Sequence, residues 1–363
     1  MKNVKKFMMY ACCTAALLWG GCQSFGRSGT PEKFDFFFCW GVASSEKAVA
    51  RYAEAGVTDI IVRKQKEFDL ALKYKIRAYW HCFTPAGPWP QVMTPEETKH
   101  YEYISGKDLD PKMARAERRK IIHQRRKAVQ HRYGGEAVAK TDTQSSVIPC
   151  FISDEGLVLS KKKIDLLLAK APAGVTGTCL DFLGYTNHQG CYCKSCIAKY
   201  KKYLKEKNLA DNAESKKIFY REKLVDYYNA VTDYIKSKRP EFKVLVHIYP
   251  DFRPDHLYGN RVNADYCGQT VSWYFQWDES KIRKYTQIVL NRAKEYHSFA
   301  EGIPFIGLST DESSSLGYKT PETVEAELKT ILASGGRTLM VCNGADIITP
   351  GYFEVFKKYC GRE

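Results

Sequence analysis

Short apolar runs recur along this chain, and most are followed by a stretch with helical spacing. The runs are Phe34 to Gly41, Asp59 to Arg63, Arg77 to Phe83, Val147 to Ile152, Thr178 to Phe182, Lys243 to Tyr249, Thr270 to Gln276, Phe305 to Ser309 and Arg337 to Asn343. Helical stretches fall at Glu46 to Ala55, Glu67 to Tyr74, Lys161 to Ala171, from the cysteine cluster through Lys236, Glu279 to Ala300, Pro321 to Ala333 and Tyr352 to Tyr359. Strands that alternate with helices build parallel βα units. The run Val147 to Ile152 follows a polar segment broken by Gly134-Gly135 and leads straight into Ser153-Asp154-Glu155-Gly156, so it reads as part of a long loop. Eight βα units remain. They predict an α/β chain folded as one (β/α)8 TIM barrel over residues 34–363, with a long insertion after strand three. An open doubly wound sheet is the weaker alternative, because Gly41-Val42-Ala43-Ser44-Ser45 after the first strand lacks the glycine-rich phosphate turn.

Residues 1–21 read as a targeting segment. Lys2, Lys5 and Lys6 precede an apolar stretch, Phe7 to Trp19, that is too short to span a bilayer. Gly20-Gly21-Cys22 then resembles the cleavage site of bacterial lipoproteins, with Cys22 as the lipidation site, although Trp19 stands where that pattern has leucine. On this reading the protein is exported and membrane-anchored through lipid, with residues 22–33 as a tether.

The chain carries 56 Lys and Arg against 41 Asp and Glu, a net charge of +15. Much of the excess lies between Lys107 and Lys140. Such a run is ordinarily a solvated helical face; the sharper reading is attraction to an anionic partner such as an acidic polysaccharide or a phospholipid surface. No nucleic-acid-binding module accompanies it, so no nucleic acid partner is expected.

A barrel of this kind carries its active site at the C-terminal ends of the strands. Those ends hold Trp40, Trp80, His81, Asp181, His247, Tyr249, Trp273, Trp277, Asp311, Glu312 and Asn343. Aromatic rings at a polar rim suit the C–H faces of a sugar, though the same residues also sit wherever one edge is apolar and the other wet. Glycoside cleavage requires two carboxyl groups flanking the bond. Asp181 after the fourth strand and Asp311 or Glu312 after the seventh face each other across an eight-stranded mouth. Asp311-Glu312 would otherwise cap a turn.

Cys191, Cys193 and Cys196 stand within six residues, a metal-ligand spacing. Structural zinc is tetrahedral and closed, so a fourth ligand is needed. The candidates are Cys150 and His188. Cys150 is favoured because it would pin the long third loop to the fourth. A disulfide is the alternative, since an exported location permits one. Cys39, Cys82, Cys179 and Cys342 lie in apolar runs and read as buried free thiols.

Asp181-Phe182-Leu183-Gly184-Tyr185, the CxCxxC trio and Tyr200-Lys201-Lys202-Tyr203-Leu204 together resemble the segment after strand four in the zinc-carrying β-galactosidases of the large barrel-hydrolase clan. The resemblance covers residues 147–205. It implies a glycoside hydrolase barrel whose zinc is held by the trio and one earlier cysteine, here Cys150. That family's Asn-Glu pair is not present; Asp181-Phe182 stands near its position. The expectation is an exported glycoside hydrolase acting on a saccharide, with no organic cofactor. The rival expectation is a non-catalytic saccharide-binding lipoprotein on the same barrel. A third is a metal-dependent hydrolase using His81, His247 and Asp251.

Overall fold

The computed structural model describes residues 32–83, 94–127, 129–131, 146–148, 150, 152–181, 190–191, 193–248, 262–274, 277–295, 301–314 and 317–361. The leader with Cys22, and also His188, Tyr249 and Asp251, lie outside the described residues.

The strands are β1 (Phe36–Trp40), β2 (Asp59–Val62), β3 (Arg77–Phe83), β4 (Val129–His131), β5 (Ser146–Ile148), β6 (Gly177–Leu180), β7 (Lys243–Ile248), β8 (Tyr266–Ser272), β9 (Glu301–Gly307) and β10 (Thr338–Cys342). Eight of them close a parallel barrel in the order β1-β10-β9-β8-β7-β6-β3-β2. The remaining two, β4 and β5, pair with each other outside it. The run assigned to a loop is therefore no barrel strand: its first part pairs with β4, and Cys150 follows the paired residues.

Helices α1 (Glu46–Glu54) and α2 (Gln65–Lys73) follow the first two strands. Between β3 and β6 stand α3 (Pro95–Ile104), α4 (Arg115–Lys127), the small β4–β5 sheet and α5 (Asp154–Leu168). Then come α6 (Lys194–Lys207), α7 (Ala213–Lys238), α8 (Glu279–Glu295), α9 (Pro321–Ala333) and α10 (Tyr352–Cys360). Several helix starts are set locally. Thr94 and Glu97 form a capping box on α3, Asn212 caps α7, and Thr320 with Pro321 opens α9. No helix of the described residues is long and apolar enough to cross a membrane.

Alternation along each strand divides the core. Phe38, Ile61, Tyr79, Cys179, Leu245, Ile303, Phe305 and Met340 fill the barrel. Phe37, Cys39, Ile60, Ala78, Trp80, Leu180, Val244 and Val246 face the helices. At the N-terminal end, Arg77 Nη2 lies 2.7 Å from the wholly buried Asp59 and counters its charge.

Two strand starts differ from the expectation by four residues. The sixth barrel strand begins at Tyr266 rather than Thr270, and the seventh at Glu301 rather than Phe305. Each extension includes a glycine, Gly268 or Gly302, against which a neighbour packs. A Cβ on Gly268 would meet Met340 Sδ at 2.5 Å, and one on Gly302 would meet the Val289 carbonyl at 2.5 Å. Helices also shift: α5 starts at Asp154, not Lys161, and α8 is described to Glu295. The basic helix α4 is not wholly a solvated face. Arg125 is buried, forks onto both Asp108 oxygens at 2.6 and 2.9 Å, and stacks on Tyr103.

The last helix closes the ring through Glu325 on α9. It accepts from Lys358 Nζ (2.8 Å), Tyr359 OH (2.7 Å) and Lys329 Nζ (3.2 Å). These hydrogen bonds, Lys358 first, hold its carboxyl down to about 2. The unfolded value is about 4.3, so Glu325 contributes stability above that pH and loses it as pH falls towards about 2. Glu325→Gln is expected to be less stable than wild type at pH 7 and to lose less stability on acidification through that window, as read by urea unfolding at each pH.

Candidate functional site

Asp181 follows β6 at the C-terminal mouth, two positions beyond the inward-facing Cys179. His247 is the inward residue near the end of β7. Its Nδ1 lies 3.1 Å from Asp181 Oδ1. The His247 side chain is 4% exposed and that of Asp181 30%, so the imidazole is walled in while the carboxylate reaches the mouth. Tyr228 on α7 donates its hydroxyl to the Asp181 main-chain carbonyl at 3.2 Å. The acid is thus held from both sides, by a barrel neighbour and by an outer helix.

Aromatic rings surround this pair. The His247 ring lies 5.5 Å from Trp40, 4.0 Å from Phe305 and 6.5 Å from Trp273, and it is nearly parallel to the last. Tyr274 packs on Trp273 and meets Cys342 Sγ through its hydroxyl at 3.2 Å. Burial pushes the Cys342 thiol up, and the Asp181 and Asp346 charges add to it. It is therefore a neutral thiol at neutral pH.

Of the residues expected at the mouth, Trp40, Asp181, His247 and Trp273 come together. Trp80 does not. Tyr79 points inward, so Trp80 points outward, and its Nε1 donates to the Leu167 carbonyl on α5 at 2.9 Å. Trp277 is also displaced. It lies beyond the end of β8, carries the Lys281 ammonium over its ring, meets Tyr285 edge-on, and lines a cavity between α8 and α9. His81 takes a left-handed backbone (φ 56°) at a register shift in β3 and packs edge-on against Trp80. Burial pulls its pKa down, and the charges of Arg63, Lys170 and Lys163 add to this against Glu67. Asn343, also left-handed, donates to the Leu308 carbonyl at 3.2 Å and braces the β9 and β10 ends against each other.

After β9, Asp311 Oδ1 accepts from Ser313 N (2.9 Å) and Ser313 Oγ (2.6 Å), a local turn. Glu312 beside it is exposed. Asp346 was not anticipated. It stands in the short 3-10 turn Gly344–Ile348, where burial raises its pKa against hydrogen bonds from Thr310, and the nearby Asp311 charge adds to the rise. Its place beyond the last strand, in a turn with no apolar pattern, left no signal. Phe305 and Tyr228 were also missed. Correct register in β9 would have revealed the first, and nothing in a helix pattern reveals the second.

The four cysteines converge. Cys150 stands just before α5, where its carbonyl accepts from Ser153 Oγ at 2.7 Å; Cys193 caps α6, and Cys196 sits in that helix's first turn. Cys150 Sγ lies 3.0 Å from Cys191 Sγ and 3.6 Å from Cys196 Sγ. All four Sγ atoms fall within 4.8 Å of one another, and all four residues are buried. A tetrahedron with metal–sulfur bonds of about 2.3 Å spaces its sulfurs about 3.8 Å apart, so this cluster fits a metal ion. Each thiol is free rather than bridged. Hydrogen bonds from Cys150, Cys191 and Cys196 favour the Cys193 thiolate, while burial pushes the Cys191 thiol up. Gly190, next to Cys191, packs flat on Tyr220 of α7; a Cβ there would lie 2.6 Å from the ring.

No known family pattern matches this sequence, and no curated protein matches it. Solved structures do resemble the fold. A β-galactosidase from the Antarctic haloarchaeon Halorubrum lacusprofundi aligns over 89% of this chain at 11% identity with a TM-score of 0.52. This chain covers 57% of that enzyme's length. The PgaB (BpsB) glycoside hydrolase domain from Bordetella bronchiseptica aligns over 92% of this chain and all of that domain, at 6% identity and a TM-score of 0.54. At such identities the likeness is one of fold. The resemblance drawn from the cysteine trio is met in the barrel and in the four converging thiols.

Proposed function

We propose that this chain cleaves glycosidic bonds, with Asp181 as one of its two working carboxylates. The observation that carries this reading is the Asp181–His247 contact of 3.1 Å inside a ring of Trp40, Trp273 and Phe305. With Nδ1 protonated, His247 donates to Asp181 and orients its carboxylate beneath the aromatic rim. Asp181 then attacks the anomeric carbon or takes a proton from the attacking water. Glu312 or Asp311 supplies the other carboxyl and protonates the leaving oxygen as the C–O bond breaks. Hydrolysis of a glycan by wild type against Asp181→Asn tests the assignment. The second reading, a barrel that binds saccharide without cleaving it, is favoured by Asp311 being engaged in its own turn. Retained turnover in wild type excludes it.

The cysteine cluster is proposed to hold zinc. Four thiolates close a tetrahedral site and leave no position for water, so the ion would serve structure alone. Its place ten residues beyond Asp181 ties the loops after β3 and β6 beside the mouth. Cys196→Ser is expected to reduce bound zinc from one equivalent per chain to none and to lower the melting temperature. A full equivalent measured by elemental analysis in that variant would contradict the site.

Export and lipid anchoring rest on residues 1–22. Cys22→Ser is expected to move the protein from the membrane fraction to the soluble one. An unchanged distribution would remove the anchor from the proposal.

A further inference from the structure

A small pocket opens at the barrel rim between the C-terminal ends of β1 and β2. Trp40, Gly41, Ser44, Ile61, Arg63 and Glu67 are among its walls. Its volume is about 130 Å³. Pockets that enclose a whole small molecule run from about 300 Å³ upward, so this one has room for a substituent and not for a further sugar ring. Trp40 belongs to both places: it lines the pocket, and its ring lies 5.5 Å from that of His247. A group lodged here would therefore project from a ligand bound over Asp181.

The chemistry of the walls is set by Arg63. Arg77, Arg125, Arg239 and Arg283 each hold a carboxylate within the protein. Among the described residues, the exposed Arg63 guanidinium makes no ion pair. The nearest acid in the pocket, Glu67, is engaged elsewhere, accepting from the Arg63 main-chain N–H at 2.6 Å. A guanidinium presents its donors as a planar fork matched to an oxyanion. The surroundings are positive as well. Lys64 and Lys66 follow Arg63 in sequence and are exposed. The charges of Arg63, Lys170 and Lys163 all act on His81 in the direction that opposes a further positive charge, with Glu67 alone acting against them. An anion is what this corner of the mouth lacks.

We infer that the Trp40–Arg63 pocket is a subsite for an anionic substituent, a ring carboxylate or a sulfate ester, on the saccharide bound at the mouth. The inference rests on the saccharide-cleaving reading for its place in the site but is tested apart from it. Two oligosaccharides of one linkage, one neutral and one carrying a uronic acid, are titrated into the full-length mature Asp181→Asn protein, where binding is read without cleavage. A sulfated analogue distinguishes sulfate from carboxylate. The expected result is about 10-fold or greater preference for an anionic member, the size of a charge-assisted hydrogen-bond pair, and its erasure by Arg63→Ala with partial recovery in Arg63→Lys. Equal affinity for neutral and anionic sugars, binding of neither, or a preference that survives Arg63→Ala overturns the inference. If the preference holds while wild type cleaves neither sugar, the subsite stands and the hydrolase reading falls.

Discussion

Asp181→Asn is expected to lower turnover of a glycan by about 10³-fold or more, a barrier increase of about 4 kcal/mol. The amide keeps the shape of the side chain and its contact with His247, but it can neither attack an anomeric carbon nor accept a proton. Stability should change little, because the carboxylate is partly exposed and its main-chain carbonyl keeps the Tyr228 hydroxyl. His247→Gln tests a different role. His247 touches the carboxylate rather than the sugar, so its loss is expected to cost about 10- to 100-fold in kcat with a smaller change in KM. That split is expected because the imidazole orients the Asp181 carboxylate through the 3.1 Å contact. A kcat unchanged in His247→Gln would make that histidine a packing residue only.

Lys319→Met is expected to destabilise the protein by about 3–5 kcal/mol, read by urea unfolding at pH 7. Lys319 is wholly buried at the mouth end of the barrel. Its Nζ donates to Glu327 Oε2 at 2.7 Å, to Ser272 Oγ at 3.0 Å and to the Gly307 carbonyl at 2.9 Å. Ser272 in turn donates to Glu327 Oε1 at 2.7 Å. Burial pulls the Lys319 ammonium down and pushes the Glu327 carboxyl up, and their mutual attraction opposes both shifts. Removing the lysine leaves a buried acid with no counter-charge. Glu327 then takes up a proton readily, so the deficit should shrink as pH falls through its raised pKa. The double variant Lys319→Met/Glu327→Met removes both charges, and its stability is expected to lie far closer to wild type. A double variant as unstable as the single would show that the ion pair itself, not the orphaned acid, dominates. The network ends at Ser272, immediately before Trp273, so the single variant should also disturb the aromatic rim.

The barrel was legible because its strands are apolar on both faces and separated by helical spacing, from Phe36 to Cys342. Register was less legible. Tyr266 to Gln269 and Glu301 to Pro304 lie outside the expected runs, and each stretch holds a glycine, Gly268 or Gly302, against which a neighbour packs. A strand-end aromatic also has a parity that sequence alone fixes only when the register is right: Trp40 points into the mouth, and Trp80 points at α5. The cysteine site was the clearest signal. Its spacing is local for three ligands, and the fourth, Cys150, was inferred from the loop it would otherwise leave unanchored. The contact between Asp181 and His247 spans 66 positions. Each residue was visible at a strand end, but only the parallel pairing of β6 with β7, in register, brings the two side chains together.

The central claim is that a glycosidic bond is cut at this mouth. The direct measurement is release of new reducing ends when the purified protein and its Asp181→Asn variant are incubated with a panel of neutral and anionic glycans. Cleavage of at least one glycan by wild type, with a fall of about 10³-fold in the variant, is the predicted result. Equal cleavage by both proteins, or none by wild type for a glycan that it binds, would contradict it.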